Sequence, residues 1–119
     1  MKYMLLIYTD PSNDPTYGTP EFDEMMSGYF AANEQMKADG VLVDGEGLQG
    51  VETATSLRLT SGKVETMDGP FAETREHLGG YYVVDVPDLD AALKYAAIIP
   101  SAKYGTIEVR PLMDYNPTS

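Results

Sequence analysis

The sequence contains no cysteine, which excludes disulfides, thiol nucleophiles and cysteine-ligated zinc. It has one histidine, His77, so a histidine-rich metal centre cannot form within one chain. Basic residues are scarce: eight Lys and Arg stand against nineteen Asp and Glu, for a formal net charge of −11. Such a chain repels a phosphate backbone, and its few cations form no run able to neutralise one, so direct nucleic-acid binding is not expected. Long apolar runs are missing too. Met4-Leu5-Leu6-Ile7 is too short for a secretory h-region and is cut off by Asp10 and Pro11, while no later stretch reaches the length of a membrane span. The expectation is a soluble, cytoplasmic protein without membrane contact. What is present, 43% hydrophobic residues over 119 positions, suits one compact domain.

Residues 2–8 are apolar and β-prone and close at Thr9-Asp10-Pro11, which predicts a buried strand followed by an irregular loop to Gly18. Thr19 is placed to cap a helix with Pro20 at its first position and Glu21, Asp23 and Glu24 near its positive end. Phe22, Met25, Met26, Tyr29 and Met36 share its apolar face, and Lys37 before Gly40 marks its end. Residues 41–49 combine apolar positions with Gly45 and Gly47, predicting a strand that bends or bulges. Residues 55–60 and 64–67 read as a hairpin around Ser61-Gly62-Lys63. A connection through Asp68 leads to a Tyr- and Val-rich strand over 80–86, ended by Pro87. Asp88 caps a second helix with Leu89, Ala92, Leu93 and Ala96 on one face, stopped by Pro100. Residues 106–113 form the last strand, so the domain spans 1–113 and 114–119 make a loose polar tail.

This order is the split βαβ plan: α+β, an antiparallel sheet with both helices on one face. Its other face is left uncovered, and Tyr81, Val83, Ile107 and Val109 supply more apolar area than one core needs. A homodimer closed sheet against sheet, with a cavity walled by the interface, would cover it.

Three stretches carry a resemblance: Met67-Asp68-Gly69-Pro70-Phe71-Ala72-Glu73-Thr74-Arg75-Glu76, Gly79-Gly80-Tyr81-Tyr82-Val83-Val84-Asp85-Val86-Pro87, and Ile107-Glu108-Val109-Arg110-Pro111. With Met1 to Tyr8 and Gly45-Glu46-Gly47-Leu48-Gln49, the chain resembles the DGPF branch of the YCII-related proteins nearly end to end. The resemblance implies ferredoxin-like subunits paired into a dimeric α/β barrel, and an association with extracytoplasmic-function sigma factors. It names no reaction. The histidine–aspartate mechanism proposed for the wider YCII group needs a histidine near the first helix, where this chain has Met25, Met26 and Ser27, so that mechanism does not carry over.

The turn before Pro70 should hold Asp68 in a fixed pose at a strand end, where partial desolvation would suit it to acid/base work; an Asx turn is its ordinary structural use. Phe71 is expected to pack in the core, with stacking on a ligand as its functional use. Glu73, Arg75 and Glu76 form a charged cluster from which Arg75 is the anion-binding candidate, against a solvated turn. Glu108 and Arg110 share one face of the last strand, opposite Ile107 and Val109, and are expected beside the intersubunit cavity, where Arg110 orients a carboxylate or pairs across the two-fold. Glu46 and Arg58, in neighbouring predicted strands, complete that polar patch; Tyr81 and Tyr82 point to opposite faces, so at most one supplies a phenol to a cavity, and packing with a satisfied hydroxyl is the ordinary use of both. His77 falls in a connection and has no orienting partner in sequence.

Two functions compete. One is a small-molecule-binding protein that takes a polar or aromatic metabolite and needs no cofactor or metal, with Asp68 as acid/base and Arg110 as anchor. The other is a non-catalytic regulatory module partnered by a sigma factor. Turnover or ligand binding abolished by Asp68→Asn without loss of folding separates the first from the second.

Overall fold

The computed structural model describes residues 1–72 and 74–115. Its first element is the strand β1 (Lys2–Thr9), in which Tyr3, Leu5 and Ile7 are buried and the alternate residues are not. The loop after it is more ordered than its Pro and Asn content suggests. Asp10 holds it by accepting from the Ser12 amide at 2.9 Å and through its carbonyl from Asn13 and Asp14. Helix α1 (Pro20–Ala38) starts as expected, with Thr19 Oγ1 accepting from the Phe22 amide at 3.2 Å and Pro20 in the first turn. The Phe22 ring packs edge-on against Tyr17, centroids 5.2 Å apart. Its buried stripe runs through Ala32 and Met36, with Tyr29 packed alongside. Met26, expected on that stripe, is exposed because the contact follows the 25, 29, 32, 36 spacing closest to 3.6 residues per turn.

Strands β2 (Leu42–Gly47), β5 (His77–Asp85) and β6 (Thr106–Pro111) join β1 in an antiparallel sheet of order β2-β5-β1-β6. Helix α2 (Leu89–Ala97) is capped by Asp88, whose carboxylate accepts from the Ala91 amide at 2.9 Å. Ala92 and Ala96 are its buried residues; Leu89 and Leu93 are exposed, since two alanines let the helix sit close and turn the leucines to the rim. The core lies between helices and sheet, with Leu5, Val84, Met36 and Ile99 fully enclosed, each burial stabilising by about 1.5–3 kcal/mol. Ile107 and Val109 pack here too, as strand alternation implies, leaving Glu108 and Arg110 on the sheet's uncovered face. That face carries Met4, Leu6 and Tyr8 with their cross-strand partners Val83, Tyr81, Arg110, Glu108 and Thr106.

Two irregularities shape the sheet. Register shifts between Leu42 and Asp44 of β2, the bulge expected for that strand. It shifts again where Ile7 faces Gly80 but Tyr8 faces Leu78, leaving Gly79 as the extra residue of a bulge. His77 pairs with Thr9 at the start of β5, so it belongs to a strand and not to a connection.

The hairpin β3 (Thr55–Thr60) and β4 (Lys63–Asp68) turns through Ser61 and Gly62, both with positive φ, as a two-residue turn of the primed type requires. It pairs with no other strand. Consequently β2 and β3 are not neighbours, and Glu46 and Arg58 do not share a patch: Glu46 faces Tyr81 and Arg58 faces Glu65. The chain measures 49 × 48 × 18 Å, with a radius of gyration of 16.5 Å. A compact chain of this length has about 13.5 Å, and the excess reflects the projecting hairpin. No helix among the described residues is long and apolar enough to cross a membrane. The expected loose tail falls mostly on residues 116–119, outside the described residues.

Candidate functional site

Two cavities meet the end of the sheet where β1 and β5 part at the Gly79 bulge. The larger, about 1060 Å³, opens where Tyr8, Leu78 and Thr106 face the segment from Leu48 to Ala54 together with Pro70, Ala72, Thr74 and Glu76. Its walls are mostly apolar, through Leu48, Val51, Pro70, Leu78 and Ile107, and its ionisable groups are Tyr8, Glu76, His77 and Glu108. Glu76 is fixed in place: its carboxylate accepts from the Thr106 hydroxyl at 2.8 Å and its carbonyl from the Thr74 hydroxyl. Among the described residues no Lys or Arg lines this cleft. It therefore offers hydrogen-bond acceptors and negative charge to a ligand, an environment that rejects a carboxylate and accepts O–H or N–H donors.

The second cavity, about 590 Å³, lies on the helix side, between α1 and the ends of β2 and β5. Met25, Met26 and Tyr29 line it from the helix, and Gly45, Gly47, Gly79 and Gly80 from the strands. The Tyr29 and Ser101 hydroxyls are hydrogen-bonded to each other, with Ser101 buried and burial pushing the Tyr29 phenol above its usual range. Asp14 completes the lining. Its Oδ1 is shut off from solvent with no hydrogen-bond partner among the described residues, and desolvation raises its pKa while the Thr9 hydroxyl and then the Asp10 charge pull in opposite directions. None of Asp14, Tyr29 or Ser101 stands out in the sequence as part of a site, and Glu76 does so only within the charged cluster it forms with Glu73 and Arg75. Asp14 sits in a loop that reads as irregular, and Ser101 is 72 positions from its partner.

The residues singled out in sequence are spread across the molecule. Glu108 lines the larger cleft, and Glu46 and Tyr81 line the helix-side cavity. The Tyr81 hydroxyl donates to Asp44 Oδ2 at 3.0 Å, a bond that raises the phenol pKa, with burial and the Asp44 and Glu46 charges acting in the same direction. Tyr82 faces the helices and is half-buried. Asp68, Arg75 and Arg110 line neither cavity. Asp68 is exposed at the end of β4, beside a turn in which Gly69 has a φ of 95° and its amide donates to the Ala54 carbonyl at 2.7 Å. Arg75 lies near Asp10, whose pKa is lowered chiefly by the Ser12 hydrogen bonds, with the Arg75 and His77 charges adding to this. Arg110 is exposed and pairs with Glu108 of its own strand. Phe71 does not enter the core: it is exposed on the projecting hairpin, where the Arg58 guanidinium covers its ring at 4.8 Å from the centroid. Glu73 lies outside the described residues. Among the described residues no group of three or more His, Asp or Glu is arranged to hold a metal ion.

Comparison with known proteins places this architecture. An uncharacterised protein of Rhizobium meliloti strain 1021 is 36% identical over 119 residues, covering 98% of this chain and 96% of the relative. Among solved structures, the 5-chloro-2-hydroxyhydroquinone dehydrochlorinase of Burkholderia phenoliruptrix AC1100, in complex with 2,5-dihydroxybenzoquinone, superposes with a TM-score of 0.58 over 100% of both chains. At 11% identity that likeness is one of fold. The model of the YCII-related domain matches residues 1–116, and the chain belongs to the YCII-related family.

Proposed function

We propose that the protein binds a small hydroxylated or amino-substituted aromatic metabolite in the larger cleft. The observation that carries this is a mostly apolar space of about 1060 Å³ whose ionisable groups are two carboxylates, one phenol and one imidazole. Apolar walls favour a ring, and Glu76 and Glu108 favour substituents that donate hydrogen bonds. The dehydrochlorinase of similar fold, solved with an oxygen-bearing six-membered ring, supports the same ligand size. Arg110 as a carboxylate anchor has less support, because its guanidinium is engaged by Glu108 and lies outside the cleft. Asp68 as an acid/base group has less support as well, because it is exposed and lines neither cavity. Neither the fold nor the comparisons supply a feature that favours an extracytoplasmic-function sigma factor as partner.

Titration of the full chain with hydroquinone, followed by NMR shifts of residues 48–54 and 74–78, tests the proposal. Hydroquinone binds and benzoate does not. Glu108→Gln weakens hydroquinone about tenfold, the loss of one charge-assisted hydrogen bond of roughly 1.4 kcal/mol. Benzoate binding more tightly than hydroquinone would overturn the assignment.

One observation favours a second reading. The sequestered Asp14 carboxylate beside the Tyr29–Ser101 pair is the more suitable acid/base group, and it would act on a ligand entering from the helix side. In that case Asp14→Asn removes turnover or binding and Asp68→Asn leaves it intact.

A further inference from the structure

The helix-side cavity holds features that the fold alone does not require, and Gly47 is one of them. In β2, Gly45 pairs with Tyr82 and faces the helices, and Gly47, two positions on, takes the same face. Gly45 has no room for a Cβ, which would meet the Tyr82 ring at 2.6 Å, whereas a Cβ on Gly47 would meet no atom within 4 Å. The φ of Gly47 is not positive either, so neither packing nor backbone geometry asks for glycine there. What its bare backbone leaves is open space in a cavity of about 590 Å³, a size that holds a small organic molecule.

The charge inside that space is unbalanced. Among the described residues no Lys, Arg or His lines it, and the carboxylates that do are Asp14 and Glu46. Glu46 pairs with Tyr81 and by alternation points to the opposite face of the sheet, so Asp14 is the charge on the helix side. Its Oδ1 has no hydrogen-bond partner among the described residues. The Tyr29 and Ser101 hydroxyls satisfy each other, and Asn33 adds an amide to the lining. Met25, Met26 and the Tyr29 and Tyr82 rings supply polarisable and π surfaces that suit an apolar body with a cation beside it.

We infer that the helix-side cavity binds a small organic amine in its protonated form, with the ammonium on Asp14 and an apolar body against Met25, Met26 and the bare backbone at Gly47. This rests on the helix-side reading of Asp14 and names the ligand class that site would take. A desolvated carboxylate with unfilled acceptor capacity and no cation from its own chain is matched by a donor that is also positive. An alcohol fills the hydrogen bond but leaves the charge uncompensated, and a carboxylate ligand is repelled. Oδ1 is sealed from solvent, and the half-turn of a carboxylate about its terminal torsion is a broad two-fold motion that exchanges it with Oδ2. At a net charge of −11 the chain also draws cations at long range.

Titration of the full chain with phenethylamine, phenethyl alcohol and phenylacetate, one shape with three head groups, tests the inference by NMR. The amine should bind most tightly and shift the amides of Asp14, Met25, Tyr29 and Gly47. Asp14→Asn should weaken the amine on the order of 30-fold, the loss of a charged hydrogen-bond partner, and leave the alcohol within about twofold. Met26→Lys, at a side chain 50% exposed, sets a like charge at the cavity rim without disturbing the core and should weaken the amine about fivefold more than the alcohol. The amine should raise Tm in the parent chain and not in Asp14→Asn. An alcohol or carboxylate that binds as tightly as the amine, or an amine affinity unchanged by Asp14→Asn, would overturn the inference. If the alcohol alone shifts these residues and is lost in Asp14→Asn, the amine is wrong and the helix-side reading stands; if none of the three shifts them, both fall together.

Discussion

Replacing Asp14 with Asn should make the protein more stable. The Asp14 pKa is raised on folding, chiefly by desolvation, so the native state holds the proton more tightly than the unfolded chain. The sign follows from proton linkage: the contribution is fully favourable below the unfolded value near 3.8 and is lost as pH rises through the raised folded value, so near neutrality the ionised carboxylate is a cost. An unsatisfied buried polar atom costs about 1–3 kcal/mol and more when charged, and Asn keeps a polar atom at the sealed position but sheds the charge. Only Oδ1 is sealed and the residue as a whole is partly exposed, which places the expected gain at the low end, about 1 kcal/mol. For 119 residues at roughly 2.1 cal/mol/K each, that gain raises Tm by about 4 °C. Thermal unfolding of both proteins at about pH 7 and about pH 4 measures it, and the gain should shrink at the lower pH as the carboxyl takes up its proton. A Tm that falls on substitution, or a gain that is the same at both pH values, refutes the reasoning, because either outcome means that the carboxylate is satisfied in the native state. A stabilised but inactive variant is the pattern expected of a functional group kept at the expense of stability.

Met36→Ala opens a cavity beneath α1 and should cost about 3 kcal/mol, lowering Tm by roughly 12 °C in a calorimetric scan. Gly45→Ala brings a Cβ to 2.6 Å from Tyr82 Cδ1 and 3.2 Å from the Tyr81 carbonyl, so the ring must move; a loss of about 1–3 kcal/mol in urea denaturation is expected, and Tyr82→Leu in the same chain should recover part of it. Asp88→Ala removes the acceptor for the Ala91 amide and should lower stability by about 1 kcal/mol in the same assay.

Features written in a few adjacent residues are legible in the sequence. Thr19-Pro20 starts α1, Asp88 caps α2 and Ser61-Gly62 turns the hairpin, because each uses backbone geometry that neighbours alone determine. Strand alternation likewise predicts that Glu108 and Arg110 share the face opposite Ile107 and Val109. Which strand lies beside which is set by distant segments. The hairpin looks like two more strands of the main sheet until β5 is seen to occupy the place beside β2. Phe71 therefore reads as a core residue, although the structure leaves it exposed with the Arg58 guanidinium over its ring. The candidate site is less legible still. Glu76 owes its position to Thr106, thirty residues away, and Tyr29 meets Ser101 only once α1 and the turn after α2 are packed.

The extra residue at Gly79 decides which side of β5 each earlier residue takes. With it, Leu78 stands beside Tyr8 and His77 beside Thr9. Deleting that single codon would restore continuous pairing and leave Leu78 beside Tyr8 and His77 beside Thr9, whereas pairing straight through Gly79 without the bulge would put Leu78 beside Thr9. The looped-out position is thus a place where a strand can lose a residue while its flanks keep their partners, so an evolutionary deletion there spares the cleft wall that Leu78 and His77 build.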